Sequence, residues 1–147
     1  AIRNLAIIYR DMDKPADSIL WAEKAVTLAG GDTSIAVPLL RLLVELYSRQ
    51  GQAEQVERMA ALAPDDVAIL STLVSVYLQE QRSDEAISVL QHLTTLEPAN
   101  YLYPLQLAQV YAQTGDLATA KTFAQSALEL APDTEKPGIE QFIGTLG

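Results

Sequence analysis

The sequence contains no cysteine and a single histidine. The absence of cysteine excludes a disulfide framework, a thiolate zinc site, an iron–sulfur cluster and a cysteine nucleophile. The histidine, His92, falls on the polar side of a helical pattern, so it is predicted to be a solvated surface residue rather than a general base or a ligand. No glycine-rich phosphate loop is present either. We therefore predict no catalytic residue, no metal site and no cofactor, and we expect that the chain is not an enzyme.

Basic residues and long apolar runs are also scarce. Ten Lys and Arg stand against nineteen Asp and Glu, giving a formal net charge of -9, which argues against nucleic acid and anionic membrane as main partners. No apolar run approaches the roughly 18 residues that a membrane-spanning helix requires, and no signal peptide is visible. We therefore expect a soluble segment without direct membrane insertion, whose compartment stays open.

A repeat of 34 residues runs along the chain. The segments LAPDD, LEPAN and LAPDT place Pro64, Pro98 and Pro132 at this interval, and the same step upstream reaches Gly30. Each of these residues follows an apolar run rich in Ala and Leu. Because proline and glycine continue a helix poorly, each marks the end of a predicted helix.

Each repeat contains two amphipathic helical patterns separated by a short polar stretch. In the third repeat Leu70, Leu73, Val74 and Tyr77 recur at helical spacing, and Tyr111 occupies the place of Tyr77 one repeat later. A single helix pair cannot cover both of its apolar stripes, so neighbouring pairs must stack. The sequence therefore predicts an all-α fold, a single array over residues 1–147. Its repeat units are about 1–31, 32–65, 66–99 and 100–133.

The third and fourth units fit the pattern of a known repeat. The matching residues are Leu73, Val74, Tyr77, Ala86, Leu90, Leu93 and Pro98 in one unit, and Leu107, Ala108, Tyr111, Gly115, Ala120, Ala124, Ala127 and Pro132 in the other. In these residues the chain resembles the tetratricopeptide repeat family. The resemblance implies a right-handed α-solenoid. Because the first unit starts inside its first helical pattern, we expect a fragment of a larger protein of this family.

The second unit departs from the regular spacing. Tyr9 and Tyr47 are 38 residues apart, whereas Tyr47 and Tyr77 are 30 apart. The turn has moved by four residues, which is about one helical turn, so the first helix or its lead-in gains a turn and the second helix loses one. We expect Pro38 in the first turn of the first helix. Residues 30–37 are either a linker or a helix extension.

The end of the chain predicts a capping helix at about 135–146. Thr134 is a candidate N-cap, and Pro137 would lie in the first turn. Apolar residues then recur at helical spacing, at Ile139, Phe142, Ile143 and Leu146. Such a helix would cover the apolar stripe that the last repeat leaves exposed.

The resemblance also implies a functional surface. In tetratricopeptide repeat proteins the first helices of the repeats line a concave groove that holds an extended peptide or a partner helix. The corresponding positions in this chain are Arg3, Ile7, Arg10, Arg41, Glu45, Arg49, Ser71, Ser75, Gln79, Leu105, Gln109 and Gln113. The four arginines would attract an acidic segment of a protein or peptide partner. Alternatively, Arg41, Glu45 and Arg49 simply pair along one helix.

Two functions remain open from the sequence. The first is a protein–protein interaction scaffold that binds a peptide or a helix of a partner in the concave groove. The second is a structural or self-associating spacer region of a larger membrane-anchored or enzymatic protein, with self-association through the open N-terminal face.

Overall fold

The chain is helical along its length. The computed structural model describes residues 2–147, and this range contains α-helices and no strand. The helices are α1 (Ile2–Asp11), α2 (Pro15–Ala29), α3 (Thr33–Arg49), α4 (Ala53–Leu62), α5 (Val67–Gln79), α6 (Ser83–Leu96), α7 (Leu102–Thr114), α8 (Leu117–Leu130) and α9 (Lys136–Thr145). The predicted all-α fold class is confirmed. The helix pairs from α1–α2 to α7–α8 fall inside the four predicted repeat units, whose boundaries stay a prediction.

The chain divides into two compact units, Ala1–Val76 and Tyr77–Gly147. In the first unit α2 packs against both α1 and α3, and α3 packs against α4. In the second unit α7 packs against α6 and α8, and α9 packs against α8. These contacts join helices that are neighbours in sequence, which is the packing expected of a repeat array.

The turns inside the four helix pairs share one backbone conformation. Each contains a residue with left-handed φ, four positions after the tyrosine near the end of the first helix. These residues are Asp13 (φ 56°), Gly51 (φ 67°), Gln81 (φ 60°) and Gly115 (φ 90°). In every case the next amide donates to the tyrosine carbonyl oxygen at 2.8 to 2.9 Å. This bond closes the helix end as in a Schellman motif, which is why the tyrosine spacing locates the turns.

The second repeat contains a longer first helix. Helix α3 has 17 residues, whereas α5 and α7 have 13 each, and α4 has 10, whereas α6 and α8 have 14 each. The four-residue shift predicted from the tyrosine spacing therefore appears as one turn gained by α3 and one turn lost by α4.

Helix α3 starts earlier than the sequence suggested. Asp32 precedes the helix and accepts hydrogen bonds from the amide and the hydroxyl of Ser34, at 3.0 and 2.6 Å. This cap begins the helix at Thr33, so most of the segment 30–37 is a helix extension. The expectation that Pro38 lies in the first turn is wrong. Pro38 lies inside the helix, because the Asp32 cap satisfies the helix start one turn before it.

The capping helix α9 begins at Lys136, and its first turn contains Pro137. The prediction that Thr134 is the N-cap is wrong. The amide of Glu135 donates to the carbonyl of Pro132 at 2.9 Å, so Thr134 lies within a hydrogen-bonded turn and does not start the helix. Glu135 occupies the N-cap position without a side-chain cap bond.

The inner face of α9 packs against the second unit's last helix pair. Ile139 forms a buried cluster with Ala127 and Ala131, and Leu146 forms another with Ala120 and Ala124. The alanines allow the helices to approach closely. Helix α9 therefore covers the apolar stripe of α8, as a capping helix does.

Candidate functional site

The predicted groove residues all lie on the first helices of the repeats. Seven of them are exposed, namely Arg3, Arg41, Arg49, Ser75, Gln79, Gln109 and Gln113. The other five are half-buried, namely Ile7, Arg10, Glu45, Ser71 and Leu105. All twelve side chains therefore have solvent-accessible surface. Their role as a partner-binding groove stays a prediction.

One cleft in the first unit lies between α3 and α5. This α3–α5 cleft has a volume of about 250 Å³ and is lined by Arg41, Val44, Glu45, Ala68, Ile69 and Thr72. The side chains of Val44 and Ile69 are buried and form an apolar floor, with relative exposures of 2% and 1%. Arg41, Glu45 and Thr72 form a polar rim. The cleft therefore combines an apolar base with hydrogen-bonding groups at its opening.

Arg41 is held at this rim by a bidentate ion pair. Its Nε lies 3.1 Å from both carboxylate oxygens of Asp66, and its Nη2 lies 2.7 Å from Oδ2. The Asp66 side chain is only 9% exposed, and it also accepts a hydrogen bond of 3.1 Å from the amide of Ile69. The Arg41 hydrogen bond lowers the pKa of Asp66. The ion pair therefore links α3 to the start of α5. Removal of Arg41 would leave the carboxylate of Asp66 enclosed without its counter-ion, which is destabilising.

A second cleft in the first unit lies between the α1–α2 turn and the end of α3. This α1–α3 cleft has a volume of about 220 Å³ and is lined by Arg10, Asp13, Pro15, Leu46, Arg49 and Gln50. Leu46 is buried beneath it. The structure thus brings together two of the predicted arginines, Arg10 from α1 and Arg49 from α3, at one opening.

The ion pairs of these two arginines are exposed. Arg49 Nη2 lies 2.8 Å from Glu45 Oε1, with side chains 70% and 41% exposed. Arg10 Nη2 lies 2.8 Å from Asp11 Oδ1. Exposed pairs of this kind contribute only about 0.5 kcal/mol each, so both guanidinium groups can exchange their carboxylate for another at small cost. The alternative interpretation was that Arg41, Glu45 and Arg49 pair along α3. It is correct for Arg49, which pairs with Glu45, whereas Arg41 pairs with Asp66 before α5.

The predicted residues of the second unit are arranged differently. Leu105 packs against the cluster of Ala127, Ala131 and Ile139, so part of its apolar surface is covered by α8 and α9. Gln109 and Gln113 remain exposed on the same helix. This half of the predicted surface therefore offers mainly neutral polar side chains.

Several lining residues were missed in the sequence. The side of α5 that faces α3 carries Ala68, Ile69 and Thr72. The family pattern instead predicted Ser71 and Ser75 as the groove residues of this helix. Leu46 was not singled out either. The tyrosine spacing was the one available signal for Asp13, because it locates the turn that borders the α1–α3 cleft.

Metal and membrane sites were also sought in the structure. Within residues 2–147 no group of three or more His, Asp or Glu side chains could hold a metal ion. In the same range none of the helices has both the length and the apolar character needed to cross a membrane. His92 is exposed on α6.

These features define a helical repeat protein built from helix–turn–helix units. Residues 77–136 match the sequence model of the tetratricopeptide repeat. This match covers 60 of the 147 residues and agrees with the resemblance seen in the sequence. No curated protein matches the chain in sequence.

Solved structures of repeat proteins share the fold. A crystal structure of MamA protein superposes with a TM-score of 0.74 at 18% identity, covering 99% of this chain and 78% of that one. MamA from Desulfovibrio magneticus RS-1 gives a TM-score of 0.73 at 17% identity, with coverage of 99% and 81%. The type III secretion translocator chaperone SycD of Yersinia enterocolitica gives 0.66 at 17% identity, with coverage of 77% and 84%. The likeness to these proteins is one of fold.

Proposed function

We propose that this chain is a protein-interaction scaffold that binds a peptide or a helix of a partner protein along its first helices. The observation that carries the proposal is the pair of clefts that flank α3. First helices contribute residues to both clefts, and each cleft is large enough for one side chain. A tetratricopeptide repeat fold supports such a role, because its helix pairs present an extended surface rather than an enclosed active site.

The partner segment in this proposal carries acidic residues. Arg10 and Arg49 share the α1–α3 cleft, and their present ion pairs with Asp11 and Glu45 are exposed and weak. A carboxylate of the partner would replace these pairs with charge-assisted hydrogen bonds. Arg41 is left out of this role because Asp66 already binds the Nε and Nη2 edge of its guanidinium group.

A library of random 12-residue peptides displayed on phage tests this function. The immobilised wild-type chain should enrich acidic peptides, and a variant with Arg10→Glu and Arg49→Glu should lose them. A variant with Arg58→Glu and Lys121→Glu makes the same change in net charge on α4 and α8 and should retain them. Capture of acidic peptides at equal yield by both variants would contradict the proposed role of the two arginines.

A second candidate function is self-association, which a different observation favours. Ile8 and Met12 at the α1 end and Leu20 on α2 are large apolar residues with exposures of 50%, 55% and 46%. Burial of such surface against a second copy would be favourable. Light scattering between 1 and about 100 µM should then show a rise in mass that Ile8→Ser with Met12→Ser abolishes. A mass that stays at one chain throughout would rule out this candidate.

A further inference from the structure

We propose that α9 is a displaceable cap, and that the surface it covers on α8 is a docking site for an amphipathic helix of a partner protein. The spacing and the charge that this surface accepts are defined by α9 itself, which is the helix seated there. The docking site belongs to the second unit and is distinct from the clefts that flank α3, so it does not depend on the function proposed above.

Helix α9 is attached through one apolar face. Ile139, near its start, packs against the alanines at the end of α8, and Leu146, just after its end, packs against alanines earlier in α8. Helix α9 therefore runs antiparallel to α8. Ile143 packs against both alanine clusters. The opposite face, which carries Glu140 and Gln141, is exposed, so the burial of a single stripe holds α9 in place.

The two glycines of α9 weaken this helix without a packing reason. Gly138 and Gly144 are exposed and lie in helical backbone. Within residues 2–147, and apart from the adjacent residues and the backbone of α9 itself, no atom lies within 4 Å of a Cβ added at either position. Alanine would therefore fit at both, whereas glycine lowers the equilibrium constant for helix formation by up to about fivefold at each.

The start of α9 adds little stability of its own. Glu135 occupies the N-cap position without a side-chain hydrogen bond, whereas Asp32 and Asp116 accept such bonds at the starts of α3 and α8. The helix has 10 residues, and an isolated helix of that length is marginal in water. We therefore expect α9 to unfold when it leaves α8, and to leave far more often than the rest of the second unit opens.

The contacts of α9 specify the helix that would replace it. Its apolar anchors stand at i, i+3, i+4 and i+7, which in α9 are Ile139, Phe142, Ile143 and Leu146. In the first turn of α9, Lys136 lies 2.9 Å from the carboxylate of Asp133. Beyond its end, Lys121 of α8 lies 3.4 Å from the carbonyl oxygen of Gly147, where a cation complements the helix dipole. A complementary partner therefore carries a basic residue three positions before its first apolar anchor and ends soon after the last one.

A more stable helix can displace α9 despite the advantage of its tether. A short tether holds α9 at an effective concentration of about 1 mM beside its surface. A partner helix with the same contacts, and with alanine at both glycine positions, gains up to about thirtyfold in helix formation. It should therefore replace half of α9 at about 30 µM.

A labelled peptide tests the docking site on the intact chain. The probe is a fluorescein-labelled peptide of residues 132–147 that carries Gly138→Ala and Gly144→Ala, and fluorescence anisotropy follows its binding. We expect half-saturation near about 30 µM with the wild-type chain, and binding about thirtyfold weaker when the chain itself carries the same two substitutions. Glu140→Ala in the chain, on the exposed face of α9, is the matched control and should change binding less than about twofold.

Three outcomes of this titration would overturn the proposal. The first is equal binding to the wild-type chain and to the chain with both alanines, because the peptide would then bind elsewhere. The second is equal binding of a peptide that also carries Ile143→Asp, which removes the central anchor. The third is a dimer in light scattering that excess peptide dissociates, since the occupant would then be α9 of a second copy.

Thiol labelling measures the opening of α9 directly. The chain has no cysteine, so Ile139→Cys places a single thiol beneath α9, and Leu107→Cys places one in the body of the second unit, both at buried positions. Under native conditions Ellman's reagent should react with the Ile139→Cys thiol at least about 100-fold faster. Adding Gly138→Ala and Gly144→Ala should slow that reaction about thirtyfold. Equal rates for the two thiols would show that α9 opens only with the whole unit, and would overturn the displaceable cap.

Discussion

Single polar contacts fix how neighbouring helices of the first unit meet. The buried hydroxyl of Ser18 on α2 donates to the carbonyl of Ala6 on α1 at 2.7 Å. The hydroxyl of Tyr47 on α3 donates to Glu23 on α2 at 2.6 Å. Apolar packing alone would allow helices to slide along one another, whereas a hydrogen bond of this kind is satisfied in one register only.

The Tyr47 contact predicts a dependence of stability on alkaline pH. Burial, with the hydrogen bond to Glu23, raises the pKa of Tyr47 to about 12. A raised pKa means that the neutral phenol stabilises the fold fully below pH 10, the ordinary pKa of tyrosine, and that this contribution is lost as pH rises from 10 to 12. Urea unfolding of Tyr47→Phe at pH 7 should show a loss of about 1–2 kcal/mol, and the difference from wild type should shrink above pH 10.

Tyr9→Phe is the matched control, because Tyr9 holds the place of Tyr47 in the first repeat and is half-buried. The free energy of unfolding should fall less in this control than in Tyr47→Phe. Absorbance titration near 295 nm should show one late phenol ionisation fewer in Tyr47→Phe than in Tyr9→Phe. An equal number of late ionisations in the two variants would contradict the assignment.

At the scale of elements, the turns and the capping helix decide where each helix stops. Gly51 and Gly115 adopt left-handed φ in their turns without a side chain to strain. Asp13 and Gln81 adopt the same conformation with a Cβ atom. A non-glycine residue in this region costs roughly 1–2 kcal/mol, and Asp tolerates it better than Gln does. The turn at Gln81 is therefore the most strained of the four.

Replacement of Gln81 by glycine should relieve this strain. We expect Gln81→Gly to raise the free energy of unfolding by about 0.5–1 kcal/mol, since the relief exceeds the extra chain entropy of glycine. The control Gln125→Gly, at an exposed position inside α8, should lower it by about 1 kcal/mol. Urea unfolding at neutral pH measures both. A loss of stability in Gln81→Gly as large as that in the control would refute this account of the turn.

Removal of the capping helix tests the role of α9. Deletion of residues 135–147 removes Ile139 and Leu146 from the alanine clusters of α8, so apolar surface becomes exposed. We expect a lower melting temperature and concentration-dependent aggregation by light scattering. Glu140→Ala, on the exposed face of α9, should change neither. A deletion variant that melts and scatters like the full chain would show that α9 is not needed as a cap.

At the scale of the whole molecule, packing contacts join helices that follow one another in sequence. Stability in such a protein is approximately a sum of local terms. Ser18→Ala removes a buried hydrogen bond and should cost about 1–2 kcal/mol. Hydrogen exchange should then speed up about tenfold in α1 and α2, whereas amides in α7 and α8 keep their protection.

Ser126→Ala supplies the reciprocal control, since its hydroxyl bonds only within α8 and is exposed. It should leave exchange in α1 and α2 unchanged. A uniform loss of protection along the chain in Ser18→Ala would indicate one global unfolding unit in place of local terms.

The sequence was most informative where a feature depends on local spacing. The 34-residue interval and the tyrosines located the helix pairs, because each turn uses the carbonyl of its tyrosine. The start of α3 was harder to predict from the sequence. Pro38 suggested a later start, but the helix begins at Thr33 because Asp32 caps it. Features that join distant residues were out of reach.

The ion pair of Arg41 illustrates that limit in physical terms. Its partner Asp66 is 25 residues away, and the pair depends on where α5 begins relative to α3. A helical spacing rule could relate Arg41 only to Glu45 on its own helix. For the same reason the sequence indicated exposed arginines but not which of them share a cleft.

The single tryptophan, Trp21, lies on α2 with the ammonium nitrogen of Lys24 4.7 Å from its ring centre. Its indole therefore senses the surroundings of α2, inside the unit that holds both clefts. Intrinsic emission is consequently a native, label-free signal for that unit, and comparison with far-ultraviolet dichroism, to which every helix contributes, reveals whether the two halves of the chain melt together.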